Sequence, residues 1–315
     1  MPNHSAATAA RRTATNPRSS RVGGALAILT AAMLWGTTGT VATQAPSGTP
    51  AAATGSTGLL LGGLLLCATA RGVPARTRRE WRQLALGAVA VAGYPLTFYP
   101  AVQRTGVAVA TVIALGCAPV CAGVLAWTLT RTRPDRRWML ATPAAVAGCG
   151  ALVLGSTTGG GVVDPLGVLL AVGGGIAYAC YALIGGRLIA AGRPAGAVMG
   201  AMFGGGALLV LPVVLAAGPA WMLAPRGAAV ALYLALCTTV LAYRLFGYGL
   251  RHTTSQHATT LTLAEPAVAA VLGVVVLRER LAVLSWCGMA VLVLALVVLA
   301  APTRGSRRAV TPRRL

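Results

Sequence analysis

An all-α integral membrane fold, with about ten transmembrane helices arranged as two inverted five-helix repeats, is the architecture this sequence predicts. Three observations carry that expectation. Hydrophobic residues make up 56% of the 315 positions and charged residues only 10%, where soluble domains carry roughly 25% charge, so a water-soluble fold could not hide the apolar surface. Apolar runs of about 20 residues, the length that crosses about 30 Å of hydrocarbon, recur along the chain. Matching glycine, proline and arginine patterns also recur at a near-constant offset between its two halves.

The runs fall near 22 to 43, 51 to 70, 83 to 102, 106 to 130 and 138 to 156, and then near 165 to 190, 195 to 217, 227 to 249, 253 to 277 and 281 to 300. Residues 22 to 156 and 163 to 300 are the two repeats. The segments 1 to 21 and 301 to 315 read as solvated basic tails, the first disordered. The loops between spans are too short to hold a soluble domain. Forty glycines and only 5% aromatic residues fit helices that pack closely where oily side chains gain little over lipid.

Orientation follows from arginine placement, because cytoplasmic loops hold the excess positive charge. With the N-terminus inside, 21 arginines fall in inner segments and four outside, at Arg104, Arg226, Arg278 and Arg280, with Arg244 within a span. Both termini are therefore expected in the cytoplasm. The net charge of +21 reads as membrane-flanking charge for anionic lipids, not as a nucleic-acid surface, because the arginines alternate with apolar runs. All 26 basic residues are arginine, which suggests a GC-rich genome and hence a bacterial inner membrane.

The duplication rests on paired motifs. Gly58-x-x-x-Gly62-Gly63 in span two matches Gly200-x-x-x-Gly204-Gly205 in span seven at an offset of 142. Ala118-Pro119-Val120 matches Glu265-Pro266-Ala267 at 147, and Arg104 matches Arg251 at the same offset. Each half holds an odd number of spans, so the second half enters the membrane from the opposite side. Many secondary transporters use such inverted repeats to switch access around a midplane site.

Few residues can carry chemistry. Of five acidic residues, Glu80, Asp135, Asp164 and Glu279 lie in or beside loops, while Glu265 falls near the middle of span nine, where a charge costs several kcal/mol. On an ideal helix Thr254, Ser255, His257 and Thr262 share its face, so that face is expected to line a wet cavity. The structural alternative is a neutral Glu265 bonded to carbonyls freed by Pro266. Arg244 either snorkels to the interface or offers a fixed positive charge to an anionic substrate group. Trp35 and Tyr178, aligned at an offset of 143, are candidate cavity walls, as is Tyr99. The candidate substrate site is therefore Trp35, Tyr99, Tyr178, Arg244, His257 and Glu265.

No cofactor or metal is expected. The seven cysteines are odd in number and lack C-x-x-C, and His252 and His257 are five apart and do not share a face. The sequence holds no G-x-S-x-G, H-E-x-x-H or Walker A pattern, which disfavours the alternatives of an intramembrane enzyme or an ATP-driven pump. A membrane scaffold without transport lacks any soluble domain to receive a signal. Proton coupling and a homodimer are left open.

The stretch Leu263-Ala264-Glu265-Pro266-Ala267-Val268, with Leu272-Gly273 and then Leu277-Arg278-Glu279-Arg280-Leu281, resembles the end-of-repeat signature of the EamA family of the drug/metabolite transporter superfamily. Trp35-Gly36 resembles that family's opening. The first half departs from the pattern, with Ala118 and Thr132 where the second has Glu265 and Glu279. The resemblance covers residues 22 to 300. It implies ten helices, with one to four and six to nine around a central cavity and five and ten peripheral. It also implies export or exchange of amino acids, metabolites or drugs, a small-molecule substrate whose identity it does not fix.

Overall fold

The computed structural model describes residues 17–46, 48–49, 51–130, 134–155, 164–276, 278 and 280–301. Ten apolar helices fill them: α1 (Val22–Ala42), α2 (Ala51–Ala68), α3 (Arg78–Val107), α4 (Val109–Thr128), α5 (Arg136–Leu154), α6 (Pro165–Ala190), α7 (Ala195–Ala216), α8 (Pro225–Leu250), α9 (Ser255–Val275) and α10 (Val283–Ala300). The first helix begins earlier than its apolar run, at Pro17, inside the segment expected as a tail. The rest of both tails, the 131 to 133 arginine loop and Glu279 lie outside the described residues.

Hydrophobic side chains stand outward on every flank, among them Leu26, Val89, Leu140, Leu209, Val271 and Leu294. Patches of that extent on a soluble monomer would be a liability, whereas here they meet acyl chains. Inside, small residues set the spacing. A Cβ on Gly63 or Gly204 would collide with the facing helix, since α2 and α7 cross at these two residues with Cys67 and Phe203 between them.

Packing repeats with the order of helices exchanged, as inverted halves require. Gly62 of α2 lies against Ala235 and Thr239 of α8, while Gly205 and Gly206 of α7 lie against Ala88 and Val91 of α3. Gly36 brings α1 onto α9 and Gly175 brings α6 onto α4. Helices α5 and α10 pair with each other through Gly148 and Gly288 at the side of the bundle.

Three local departures from regular helix matter for the site. The α3–α4 reversal has no loop: it is made at Gly106, with φ 81° and ψ 159°, a region open essentially to glycine alone. In α8, Leu234–Leu241 form a π-helical segment, a widening often found at functional positions. In α9, helix gives way between Leu261 and Ala264. Pro266 lacks an N–H and its ring would strike the Thr262 carbonyl, which instead accepts from the Glu265 N–H at 3.0 Å.

Candidate functional site

A cavity of about 200 Å³ lies at the centre of the bundle. Its wall is built by Trp35 and Thr38 of α1, Gly55, Gly58 and Leu59 of α2, Val91, Tyr94, Pro95, Phe98 and Tyr99 of α3, and Thr111 and Leu115 of α4. The second half supplies Tyr178 and Tyr181 of α6, Phe203 of α7, Leu234, Thr238, Thr239 and Tyr243 of α8, and Glu265 of α9. All eight inner helices contribute, and among the described residues none comes from α5 or α10. The wall climbs to Thr38, Gly55 and Thr111 near the arginine-poor ends of their helices and stops halfway down at Tyr181, Phe203 and Tyr243.

That floor is a cluster of rings. Phe203 and Tyr243 have centroids 3.8 Å apart, Tyr181 and Phe203 5.7 Å, and the Tyr181 and Tyr243 hydroxyls stand 3.2 Å from each other. Beneath it, polar contacts tie helices together at the arginine-rich end. The Glu80 carboxylate meets Arg193 at 3.2 Å, tying the start of α3 to the α6–α7 turn. Asp135, at the start of α5, meets His257 of α9 at 3.3 Å. Trp138 of α5 donates its indole N–H to the Gln256 carbonyl and the Thr260 hydroxyl, each at 3.1 Å.

Trp35 reaches the site across the two halves. Its indole N–H donates to the Thr238 carbonyl, 2.8 Å away in the π segment of α8, so the ring is held with its face against Tyr243, centroids 4.9 Å apart. Tyr178 is buried, and its hydroxyl stands 2.7 Å from that of Thr262. Tyr99 sits over Gly55, where its hydroxyl occupies the space a side chain would need. Phe246, fully buried, lies behind both Trp35 and Tyr178 at centroid distances of 5.7 and 6.4 Å.

Glu265 opens the second segment of α9, half-buried at the cavity wall. Its backbone carbonyl presses against Gly36, where a Cβ would stand 2.8 Å from it, so the bare glycine lets α1 approach. Among the described residues its carboxylate has no hydrogen-bond or ion-pair partner. Among the described residues no arginine, lysine or histidine lines the cavity. The chamber thus pairs one acidic group with aromatic ring faces, which attract cations through their negative quadrupoles.

Of the six residues singled out from sequence, Trp35, Tyr99, Tyr178 and Glu265 come together here. Arg244 does not: it lies at the arginine-rich end, donating to the Thr69 hydroxyl at 2.7 Å. Nor does His257, which is held by Asp135 and, through Nδ1, by the Thr254 hydroxyl at 2.8 Å. The polar face expected to wet α9 is instead spent on neighbouring helices. Ser255 donates to the Ala182 carbonyl at 3.1 Å and Thr262 meets Tyr178, because the break in α9 ends the ideal helical projection. Phe203 was missed, although it is one of only three phenylalanines and stands beside Gly204-Gly205.

Two stretches of the chain, residues 22–154 and 165–301, each match the EamA-like transporter family. The chain belongs to that family. One match spans α1 to α5 and the other α6 to α10. Within curated relatives, the transporter YwfM of Bacillus subtilis (strain 168) is 39% identical over 287 residues, 90% of this chain and 96% of its own length. The threonine/homoserine exporter RhtA of Escherichia coli (strain K12) is 31% identical over 228 residues, 71% of this chain and 72% of its own. A crystal structure superimposes with TM-score 0.72 at 21% identity, covering 89% of this chain and 96% of that one, a likeness of fold. An EamA-like chain of this kind is a multi-pass membrane transporter.

Proposed function

We propose that this protein exports small amine-bearing metabolites, amino acids among them, by alternating access, with Glu265 as the group that holds either a proton or the substrate ammonium. One observation carries the reading: a carboxylate without a partner faces an aromatic chamber that holds no positive side chain. An ammonium group there would gain an opposite charge and ring faces together, while an anion lacking an amine would gain neither. The volume of about 200 Å³ lies below the ~300–1,000 Å³ of drug-sized sites, which favours small metabolites over bulky dyes. The relative that exports threonine and homoserine points to the same class.

The chamber reaches toward the arginine-poor side, and aromatic rings and ion pairs seal the other. With arginine-rich loops cytoplasmic, this is a conformation open to the outside, from which Glu265 would load a proton after releasing substrate. Return to the inward state would then present the protonated site to cytoplasmic amine. In that scheme the proton leaves Glu265 as the ammonium arrives, so each cycle moves one out and the other in. Reporter fusions at Gly48 and Leu315, expected outside and inside respectively, check the orientation.

The test is uptake into proteoliposomes of a panel of amino acids, nucleosides and cationic dyes, with and without a pH gradient. Small amino acids should be driven by the gradient and the dyes should not. Glu265→Gln should abolish gradient-driven transport, retaining exchange of substrate for substrate with raised KM. Unchanged gradient-driven uptake in a well-inserted Gln variant would remove Glu265 from the mechanism.

A further inference from the structure

A second pocket, about 780 Å³ in volume, opens at the arginine-rich end between the ends of α2, α7 and α8. Three guanidiniums, of Arg71, Arg244 and Arg251, border it, and among the described residues no carboxylate does. Among the described residues the carboxylates of Glu80, Asp135 and Asp164 are taken by Arg193, His257 and Arg104, and none of them pairs with these three guanidiniums. Arg244 is not loose: Thr69, itself donating to the Leu65 carbonyl at 2.6 Å, accepts from its Nη2. The pocket also meets the start of α7 at Ala195 and Gly196. That helix has no side-chain cap, and nothing stands within 4 Å of where a Gly196 side chain would be. Its first N–H groups and positive dipole end add to the field of the arginines.

The pocket continues into the membrane. Leu241, Arg244 and Tyr248 of α8 and Arg251 at its C-cap stand at intervals of three, four and three, one helical face, and all four are exposed. The stripe therefore runs from an apolar residue through two arginines flanking a tyrosine, the order met on passing from acyl chain to headgroup. Leu65, exposed one turn before Thr69 on α2, extends the apolar end. A free phosphate would use the arginines and leave both the leucines and most of the volume unmatched.

We infer that this pocket binds the phosphodiester headgroup of an anionic phospholipid, clamped by Arg71, Arg244 and Arg251 with an acyl chain along Leu241 and Leu65. Because the lipid bridges α2, α7 and α8, it holds together helices that meet at the chamber, and its binding does not depend on what the chamber carries.

The test is thermal unfolding of the full-length protein in neutral detergent with phosphatidylglycerol, phosphatidylcholine or inorganic phosphate added. Phosphatidylglycerol at saturation should raise the midpoint by about 5 °C, with no shift from the other two. The double variant Arg71→Gln/Arg251→Gln should lose the shift, while Arg136→Gln, an exposed arginine at the same end, should keep it. An equal shift from phosphatidylcholine, a shift from inorganic phosphate in place of lipid, or a shift retained in the double variant would each overturn the site. Should the double variant not fold, native mass spectrometry of Arg251→Gln should show one fewer retained phosphatidylglycerol than wild type. An unchanged adduct count there would overturn it equally.

Discussion

The Tyr178 hydroxyl lies 2.7 Å from the Thr262 hydroxyl, joining α6 to the interrupted turn of α9 three residues before Glu265. Trp35 makes the corresponding reach from the other half, donating to the Thr238 carbonyl. Both rings therefore have their polar edges engaged by the protein while they line the chamber. Trp35→Ala and Tyr178→Ala should each weaken apparent substrate affinity by about 1 to 3 kcal/mol, read as KM in proteoliposomes. Tyr178→Phe, which keeps the ring, should lose less, and Val297→Ala on the lipid-facing side of α10 should lose nothing. Equal losses at Val297 and Trp35 would dissolve the distinction between wall and periphery.

The peripheral pair offers the converse test. A Cβ at Gly148 would stand 2.6 Å from the Leu292 amide nitrogen, so α5 and α10 can approach this closely only without side chains there. Gly148→Ala should destabilise by about 1 to 3 kcal/mol, seen as a lower midpoint in thermal unfolding, while the KM of the surviving folded fraction stays at the wild-type value.

Gly106 separates torsion from packing. No atom lies within 4 Å of where its Cβ would be, so Gly106→Ala meets no clash, and its cost of about 1 to 3 kcal/mol comes from the dihedral angles alone. The same substitution at Gly196, also in open space but inside a helix, should leave stability unchanged or raise it. Parallel unfolding curves of the two variants check this.

At the arginine-poor end the Arg104 guanidinium, bonded to Asp164 at 3.0 Å, holds its carboxyl below the usual aspartate range, helped by the Leu166 and Gly167 N–H groups. A lowered value in the folded state means that the stabilising effect is complete above the ordinary pKa of about 3.9 and fades as pH falls. Asp164→Asn keeps an oxygen for the helix cap and removes the charge. The midpoint gap between wild type and this variant should be small at neutral pH, shrink with salt, and close on acidification below about pH 4. A gap that persisted there would assign the effect to capping rather than to the ion pair.

What could be read from sequence followed from rules that bilayers enforce. Runs of spanning length, paired glycine motifs and a lone mid-span carboxylate each have a cost that only one architecture removes, so ten helices, inverted halves and a central Glu265 were legible. Contacts that depend on local backbone geometry were not. The π segment that frees Thr238 for Trp35 has no signature in Leu234–Leu241. The direction taken by Arg244 turned on Thr69, a residue 175 positions away. The role of Glu80 was legible and overlooked: Thr77-x-x-Glu80 is a capping box, with the Thr77 N–H donating to Glu80 at 3.1 Å and the Glu80 N–H to Thr77 at 3.2 Å.

The two halves differ in how much slack they allow. Helices α3 and α4 reverse on one residue, whereas their counterparts α8 and α9 are joined by Arg251, His252, Thr253 and Thr254 at the other end of the bundle. A one-residue link fixes how far apart the joined ends of α3 and α4 can lie, and any change in the angle between them must be taken up by the Gly106 dihedral angles. The four-residue strap sets no such tight limit on α8 and α9. Sequence-related halves thus differ in reach: one residue joins α3 to α4, while four residues leave α9, which holds Glu265, more room to shift against α8.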